Sequence, residues 1–248
     1  MTRLRAALSH LWPTLLLLAM LAGLIFFAWY PWPFRHFGES GKFALLLILA
    51  AGFLAPLLTG LVYKQGKRGL IFDLWVISII QLAAIGWGTY SLYQNRPFFM
   101  VYTVDRFEVL SKRDVDVTWI TDARFLDKPL AAPVLLYANM PADPVAYQKL
   151  VREVMFEGKP DLQFRPESWS LYAERQQMVL EKSRPLKDLR DARPESISEI
   201  DNLVEENGGD IEQLRFVPAL LASGEFTVIL RVGSGKIADM LMINPWIN

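Results

Sequence analysis

Residues 93–110 read YQNRPFFMVYTVDRFEVL, and the change of character inside this stretch decides the fold. Proline lacks the N–H that an α-helix interior needs, and it pushes the residue before it toward extended backbone. Asn95-Arg96-Pro97 therefore ends whatever helix precedes it. From Phe98 to Leu110 the chain is rich in aromatic and β-branched residues and free of Gly and Pro, which predicts one long strand. The boundary divides the chain into a region 1–96 and a region 97–248.

Upstream of the boundary lie three apolar runs, Leu11 to Tyr30, Phe43 to Tyr63 and Leu70 to Tyr93. An α-helix needs roughly 20 residues to cross a bilayer core, where free backbone groups find no water, so each run predicts a transmembrane helix. The second run contains no charged residue and the third only Asp73. Arg3 and Arg5 precede the first run, and Lys64, Lys67 and Arg68 separate the second from the third. Arg35 and Lys42 share the remaining loop with Glu39. Basic residues are retained on the cytoplasmic side, which predicts a cytoplasmic N-terminus and a periplasmic C-terminal domain in the bacterial inner membrane. A cleaved signal peptide would need small residues after the first run, but Trp29-Tyr30-Pro31-Trp32 follows, so this span is expected to be retained.

The formal net charge of zero conceals an asymmetry. Region 1–96 carries eight Lys and Arg against Glu39 and Asp73, so it is about +6 and the remainder about −6. Two physical environments are implied. With no cysteine, the outer domain must be held by burial alone.

Within 97–248, Pro133 to Tyr137 reads as a second strand. Asp143-Pro144 supplies an N-cap and a first-turn proline, Tyr147, Leu150, Val151, Val154 and Met155 recur on one helical face, and Gly158 and Pro160 stop the helix. Further helices are expected from about Glu167 to Lys182 and from Pro194 to Glu206, with the charged segment Ser183 to Arg193 as a solvated connection. Leu214 to Leu221, Glu225 to Val232 and Ile237 to Ile243 read as a meander, Gly233-Ser234-Gly235 forming a hairpin turn. The expected architecture is a membrane protein with three N-terminal transmembrane α-helices, followed by an α+β domain with an antiparallel sheet.

The inventory of chemical groups is narrow. His10 and His36 are the two histidines, both outside the outer domain. That excludes from this domain a His-based triad, a Cys nucleophile and a zinc site of His or Cys ligands. Asp114 with Asp116 could in principle form an acid–base pair, although acidic pairs on loops are usually solvated. Gly86-Trp87-Gly88 and Gly233-Ser234-Gly235 do not continue into a nucleotide-binding pattern. Gly52, Pro56 and Gly60 align on the second run beside Ala51, Ala55 and Thr59, a small-residue line suited to close helix contact inside the bundle or with a partner's span. Gln81 is a polar group inside the third run and needs a neighbouring helix to bond; Asp73 is close enough to Lys67 and Arg68 for an ion pair.

Gly60-Leu-Val-Tyr-Lys64, Gln81-Leu-Ala-Ala84, the junction Tyr93 to Phe107 and the terminal Ile243-Asn-Pro-Trp246 together resemble the TfpX/TfpZ family of type IV pilin accessory proteins. The resemblance runs from the first span to the C-terminus, and the junction is its most specific piece. It implies an inner-membrane protein that promotes pilin stability or pilus assembly by binding a pilin subunit or the assembly platform. It implies neither an enzyme, nor a cofactor, nor a nucleic-acid partner. Arg96, Pro97, Asp105, Arg106 and Phe107 in the junction, with Gly52, Pro56 and Gly60 in the second span, are the candidate partner-binding residues. Two other readings are a membrane-bound enzyme that modifies pilin or envelope through outer-domain carboxylates, and a ligand sensor.

Overall fold

In the computed structural model the described residues are 3–36, 49–64, 66–222 and 224–247, and the chain divides into two compact units, Met1–Arg96 and Pro97–Asn248. In the first, helix α1 spans Arg3–Gly23 and runs into a π-helical turn over Leu24–Trp29. A π-helical stretch Ala50–Leu54 leads into α2, Ala55–Val62, and α3 spans Leu70–Gln94. Two segments, Ala7–Trp29 and Leu70–Gln94, are long and apolar enough to cross a membrane. Of the expected second span, Phe43 to Tyr63, residues 43–48 lie outside the described residues, and the part described holds an apolar helix, Gly52–Val62.

Most side chains of these helices point outward and are apolar, as suits hydrocarbon, while the few polar ones meet inside. The Gln81 side-chain oxygen can only accept, so His10 Nε2 donates to it at 2.9 Å, and in a neutral imidazole Nδ1 then accepts the Thr59 hydroxyl at 2.6 Å. Gln81 Nε2 donates to the Thr14 hydroxyl at 3.2 Å, and that hydroxyl donates to the His10 carbonyl at 3.0 Å. One polar cluster thus ties α1, α2 and α3. Interhelical bonds of this kind contribute roughly 0.6–2 kcal/mol each in a bilayer. Beside the cluster, Gly52 lies against Leu18: a Cβ there would sit 3.2 Å from Leu18 Cδ1. Asp73 pairs with Lys67 at 2.5 Å.

The second unit is built on an eight-stranded sheet. Its strands are β1 (Phe99–Thr103), β2 (Arg106–Leu110), β3 (Val134–Ala138), β4 (Trp169–Leu171), β5 (Arg184–Pro185), β6 (Leu214–Leu221), β7 (Gly224–Arg231) and β8 (Ile237–Leu241). The order is β4-β3-β1-β2-β6-β7-β8, with β5 beside β6. Two corrections follow. The long strand expected from Phe98 to Leu110 is a hairpin, β1 and β2 folding back at Val104-Asp105. The sheet is mixed rather than antiparallel, because β1 pairs with β3 and β2 with β6 in parallel. Every residue of β1 is buried, as parallel pairing with cover on both faces requires.

Helices α4 (Pro144–Phe156), α5 (Tyr172–Lys182), α6 (Leu186–Ala192) and α7 (Ile197–Glu206) follow the strand connections. Asp143 caps α4 as expected, accepting from the Ala146 N–H at 2.9 Å. The helix expected from Glu167 begins instead at Tyr172, since Trp169–Leu171 pairs with β3. Ser183 to Arg193 is not a solvated connection: it holds β5 and α6, whose Leu186 and Leu189 are fully buried. Their spacing of three places both on the inner face of a short helix whose charged residues face out. One core gathers Phe98, Phe99, Leu136 and Trp169. Another gathers Leu186, Leu189, Ile200, Phe216 and Ile229.

The C-terminal tail is held by burial of Ile243, with Ile247 packed on the same core, and by its backbone carbonyls. Arg193 donates to the carbonyls of Asn244 (3.1 Å) and Trp246 (2.6 Å), Arg184 to that of Ile247 (3.1 Å), and Thr227 to that of Ile243 (2.8 Å). At the β7–β8 hairpin, which occupies the expected Gly-Ser-Gly turn, Gly235 approaches α5 so closely that a Cβ would lie 2.7 Å from the Gln176 carbonyl oxygen. Its φ is also positive, at 67°, and its carbonyl accepts the Tyr172 hydroxyl. Gly233 has a similar φ of 83° but open space around it. Gly235→Ala is expected to lose more than the roughly 1–3 kcal/mol of a strained left-handed residue, whereas Gly233→Ala loses no more than that. Chemical denaturation of the two purified full-length variants measures the difference, and equal losses would contradict it.

Candidate functional site

The junction residues separate into two groups. Arg96, the last residue of the helical unit, stacks 3.6 Å from the Tyr93 ring centroid and donates to the Tyr93 carbonyl at 2.5 Å, closing the end of α3 locally. Pro97 is buried, and the residue after it, just ahead of β1, is already bonded, with the Phe98 N–H on the Leu110 carbonyl at 2.8 Å. Phe107 is fully buried between Tyr102 and Tyr172, at ring distances of 5.3 and 5.6 Å. Asp105 and Arg106 lie at the hairpin tip, where Arg106 bonds Glu108 at 3.1 Å and lies 3.4 Å from Asp105. In the helical unit Gly52 and Pro56 are buried and Gly60 is half-buried. The structure thus brings Asp105 and Arg106 to an exposed surface and puts Phe107 beneath it.

The tip itself is strained. The Asp105 N–H bonds back to the Thr103 carbonyl at 2.6 Å around Val104, whose φ is 52°. This is a γ-turn of the rare positive-φ form, and a β-branched residue at its centre is an outlier. The turn is braced by Lys182, which donates to the Val104 carbonyl at 3.0 Å, and more weakly by Tyr102 at 3.4 Å. Burial first, then the neighbouring Tyr137 and Asp105, push the Tyr102 phenol well above its ordinary range, so it remains a hydrogen-bond donor at neutral pH.

Val104 is 54% exposed and borders a groove of about 340 Å³ between the hairpin tip and α4. Met140, Tyr147 and Met155 line the same groove, and all three are exposed. The stripe predicted for α4 is therefore wider than the domain covers: Leu150, Val151 and Val154 turn inward, while Tyr147 and Met155 remain exposed on the groove side. Arg106 and Asp161 also line the groove, and exposed apolar side chains edged by charge in this way have the character of a protein-binding surface. Sequence reasoning missed Val104 because no Gly, Asn or Pro marks the turn.

Asp114 and Asp116 serve as turn caps. Asp114 accepts from the Ser111 N–H and hydroxyl at 2.6 and 2.8 Å, and Asp116 from the Thr118 N–H and hydroxyl at 3.0 and 2.6 Å. These bonds hold the Asp116 carboxyl below its usual range. Among the described residues, no group of three His, Asp or Glu is placed to hold a metal ion.

Residues 1–38 match the family model of the fimbrial assembly protein FimB. The chain is 40% identical over 108 residues to the serogroup I fimbrial assembly protein of Dichelobacter nodosus, covering 43% of this chain and 42% of that protein. It is 37% identical over 108 residues to the serogroup C1 and C2 fimbrial assembly protein of the same organism, covering 82% of that relative. It is 32% identical over 170 residues to the serogroup E1 protein, covering 67% of this chain and 65% of the relative. The alignment thus spans less than half of the serogroup I protein's own length. No solved structure matches. Since Val104 is exposed and strained, Val104→Asn should raise stability by about 1 kcal/mol, as Asn tolerates positive φ. Denaturation midpoints check this, and a lower midpoint would show that the turn carries no strain.

Proposed function

This chain belongs to the fimbrial assembly protein family, and from that premise we propose that it is a type IV pilin accessory factor of the TfpX/TfpZ kind. It acts in the inner membrane without catalysing a reaction, and it promotes pilin stability or pilus assembly by binding a pilin subunit or the assembly platform. The observation that carries this reading is the strained hairpin tip with its apolar groove, Val104, Met140, Tyr147 and Met155, on a chain whose relatives are named for fimbrial assembly. The employment of Asp114 and Asp116 as turn caps favours binding over carboxylate chemistry.

A chromosomal double variant Val104→Asp, Met155→Asp leaves the core untouched, since both residues are exposed. It should reduce surface pili roughly tenfold, the consequence of ~1.4 kcal/mol of lost binding. Electron microscopy counts the pili, and immunoblotting checks that the variant is as abundant as the parent. Unchanged piliation at equal abundance would remove the groove from the mechanism; unchanged piliation after complete deletion would remove the assembly role altogether.

In the proposed topology three spans place the N-terminus in the cytoplasm and 97–248 in the periplasm. The two full-length apolar helices and the basic residues Lys64, Lys67 and Arg68 support it. Alkaline phosphatase fused after Asn248 should be active and the same enzyme fused at Lys67 inactive. The reverse pattern would put the groove in the cytoplasm.

A further inference from the structure

On the other flank of α4 lies a larger cleft, of about 680 Å³, within the usual size range of a ligand site. Its chemistry is unlike that of the groove. Glu153, 8% exposed, faces three cations: Arg165 Nη1 at 2.7 Å, Lys159 at 3.1 Å and Lys149 at 3.9 Å. The hydrogen bonds from Arg165 and then Lys159 hold the Glu153 carboxyl down to about 2, so it is ionised throughout the physiological range.

Glu157 gives Lys159 a second carboxylate at 3.1 Å, but Arg165 and Lys149 are not fully met. Arg165 spends Nε on the Pro160 carbonyl at 2.7 Å and Nη1 on Glu153, yet its Nη2 is buried with no acceptor. A buried charged donor without a partner is costly, so native proteins rarely leave one unless something else meets it. Lys149 is only loosely engaged at 3.9 Å, with its side chain 67% exposed. The cleft lining carries Lys149, Lys159 and Arg165 against Glu153 and Glu167, an excess of one positive charge. Trp119 and Met140, both exposed, supply apolar wall.

We infer that this cleft binds a single carboxylate carried on an apolar body, with Arg165 Nη2 and Lys149 as its donors and Trp119 and Met140 against the body. The single excess charge matches a monoanion, and a carboxylate has lone pairs enough for two donors at once. Such a group can come from a polypeptide, as a C-terminus or an acidic side chain, or from a free organic acid.

The test uses the full-length protein in detergent micelles and isothermal titration calorimetry. The probes are benzoate, the hexapeptide Ala-Ala-Ala-Ala-Leu-Phe with a free C-terminal carboxylate, and the same peptide amidated. At least one acid should bind saturably and the amide roughly tenfold more weakly or not at all. Saturation by the peptide alone assigns a polypeptide source and saturation by benzoate alone an organic acid. Lys149→Ala, at an exposed position, and Arg165→Lys, which keeps the charge for Glu153 but removes the spare donor, should each weaken binding about tenfold, the worth of one charge-assisted hydrogen bond. Melting temperature monitors folding, and if Arg165→Lys fails to fold, Lys149→Ala decides alone. No saturable heat from either acid, equal binding of acid and amide, or undiminished binding to a folded Lys149→Ala variant would overturn the inference.

Discussion

Between the end of α3 and the first turn of the second unit, five consecutive side chains, Phe99 to Thr103, have to be buried on both faces of a sheet. A strand with no wet face cannot sit at an edge, so it needs partners on both sides and cover above and below. The chain meets this with β2 from the adjacent hairpin and β3 from a crossover. The aromatic residues then pack outward from β1: Phe99 meets Trp169 at 5.0 Å, and Tyr102 stacks on Tyr137 at 5.6 Å. The tight turn after Thr103 follows from the same demand, because β2 must return at once to pair along the full length of β1. Strain at Val104 is offset by the burial of the two strands it joins.

The helical unit solves the inverse problem. Its outer surface is apolar, and what has to be hidden is polarity. His10, Thr14, Thr59 and Gln81 answer one another's donors and acceptors, each helix contributing at least one group. Such a cluster specifies which faces meet more sharply than apolar packing can, because sliding one helix by a turn would leave several groups unmatched. Gly52 against Leu18 adds a steric requirement to the electrostatic one.

Element type was legible wherever a short-range signal was strong. Asp143-Pro144 and Gly158 bracketed α4, and Gly233-Ser234-Gly235 gave the β7–β8 turn. The misread elements are those whose structure depends on distant partners. Parallel pairing of β1 with β3 leaves no local mark, and α6 is concealed by charged residues around the two buried leucines. Gln81 announced that it needed a partner, but nothing in the sequence tied it to His10, 71 positions away. At the candidate site, the sequence pointed to Asp105 and Arg106 through the junction motif. It could not tell that Phe107 turns inward or that the α4 stripe continues past the core, since both depend on where β1 and α4 meet.

The C-terminal tail is gripped by arginines and a threonine that reach main-chain carbonyls. Every residue type carries that carbonyl, so these contacts recognise a route and ignore the letters written along it. Side chains add to this grip: Ile243 is buried in the core with Ile247 packed against it, Asn244 Oδ1 accepts the Trp246 N–H at 2.9 Å, and the Trp246 indole N–H reaches Glu225 at 2.9 Å. Substitution should therefore be resisted at Arg184 and Arg193, so part of the record of how this tail is held would survive in residues some fifty positions upstream of it.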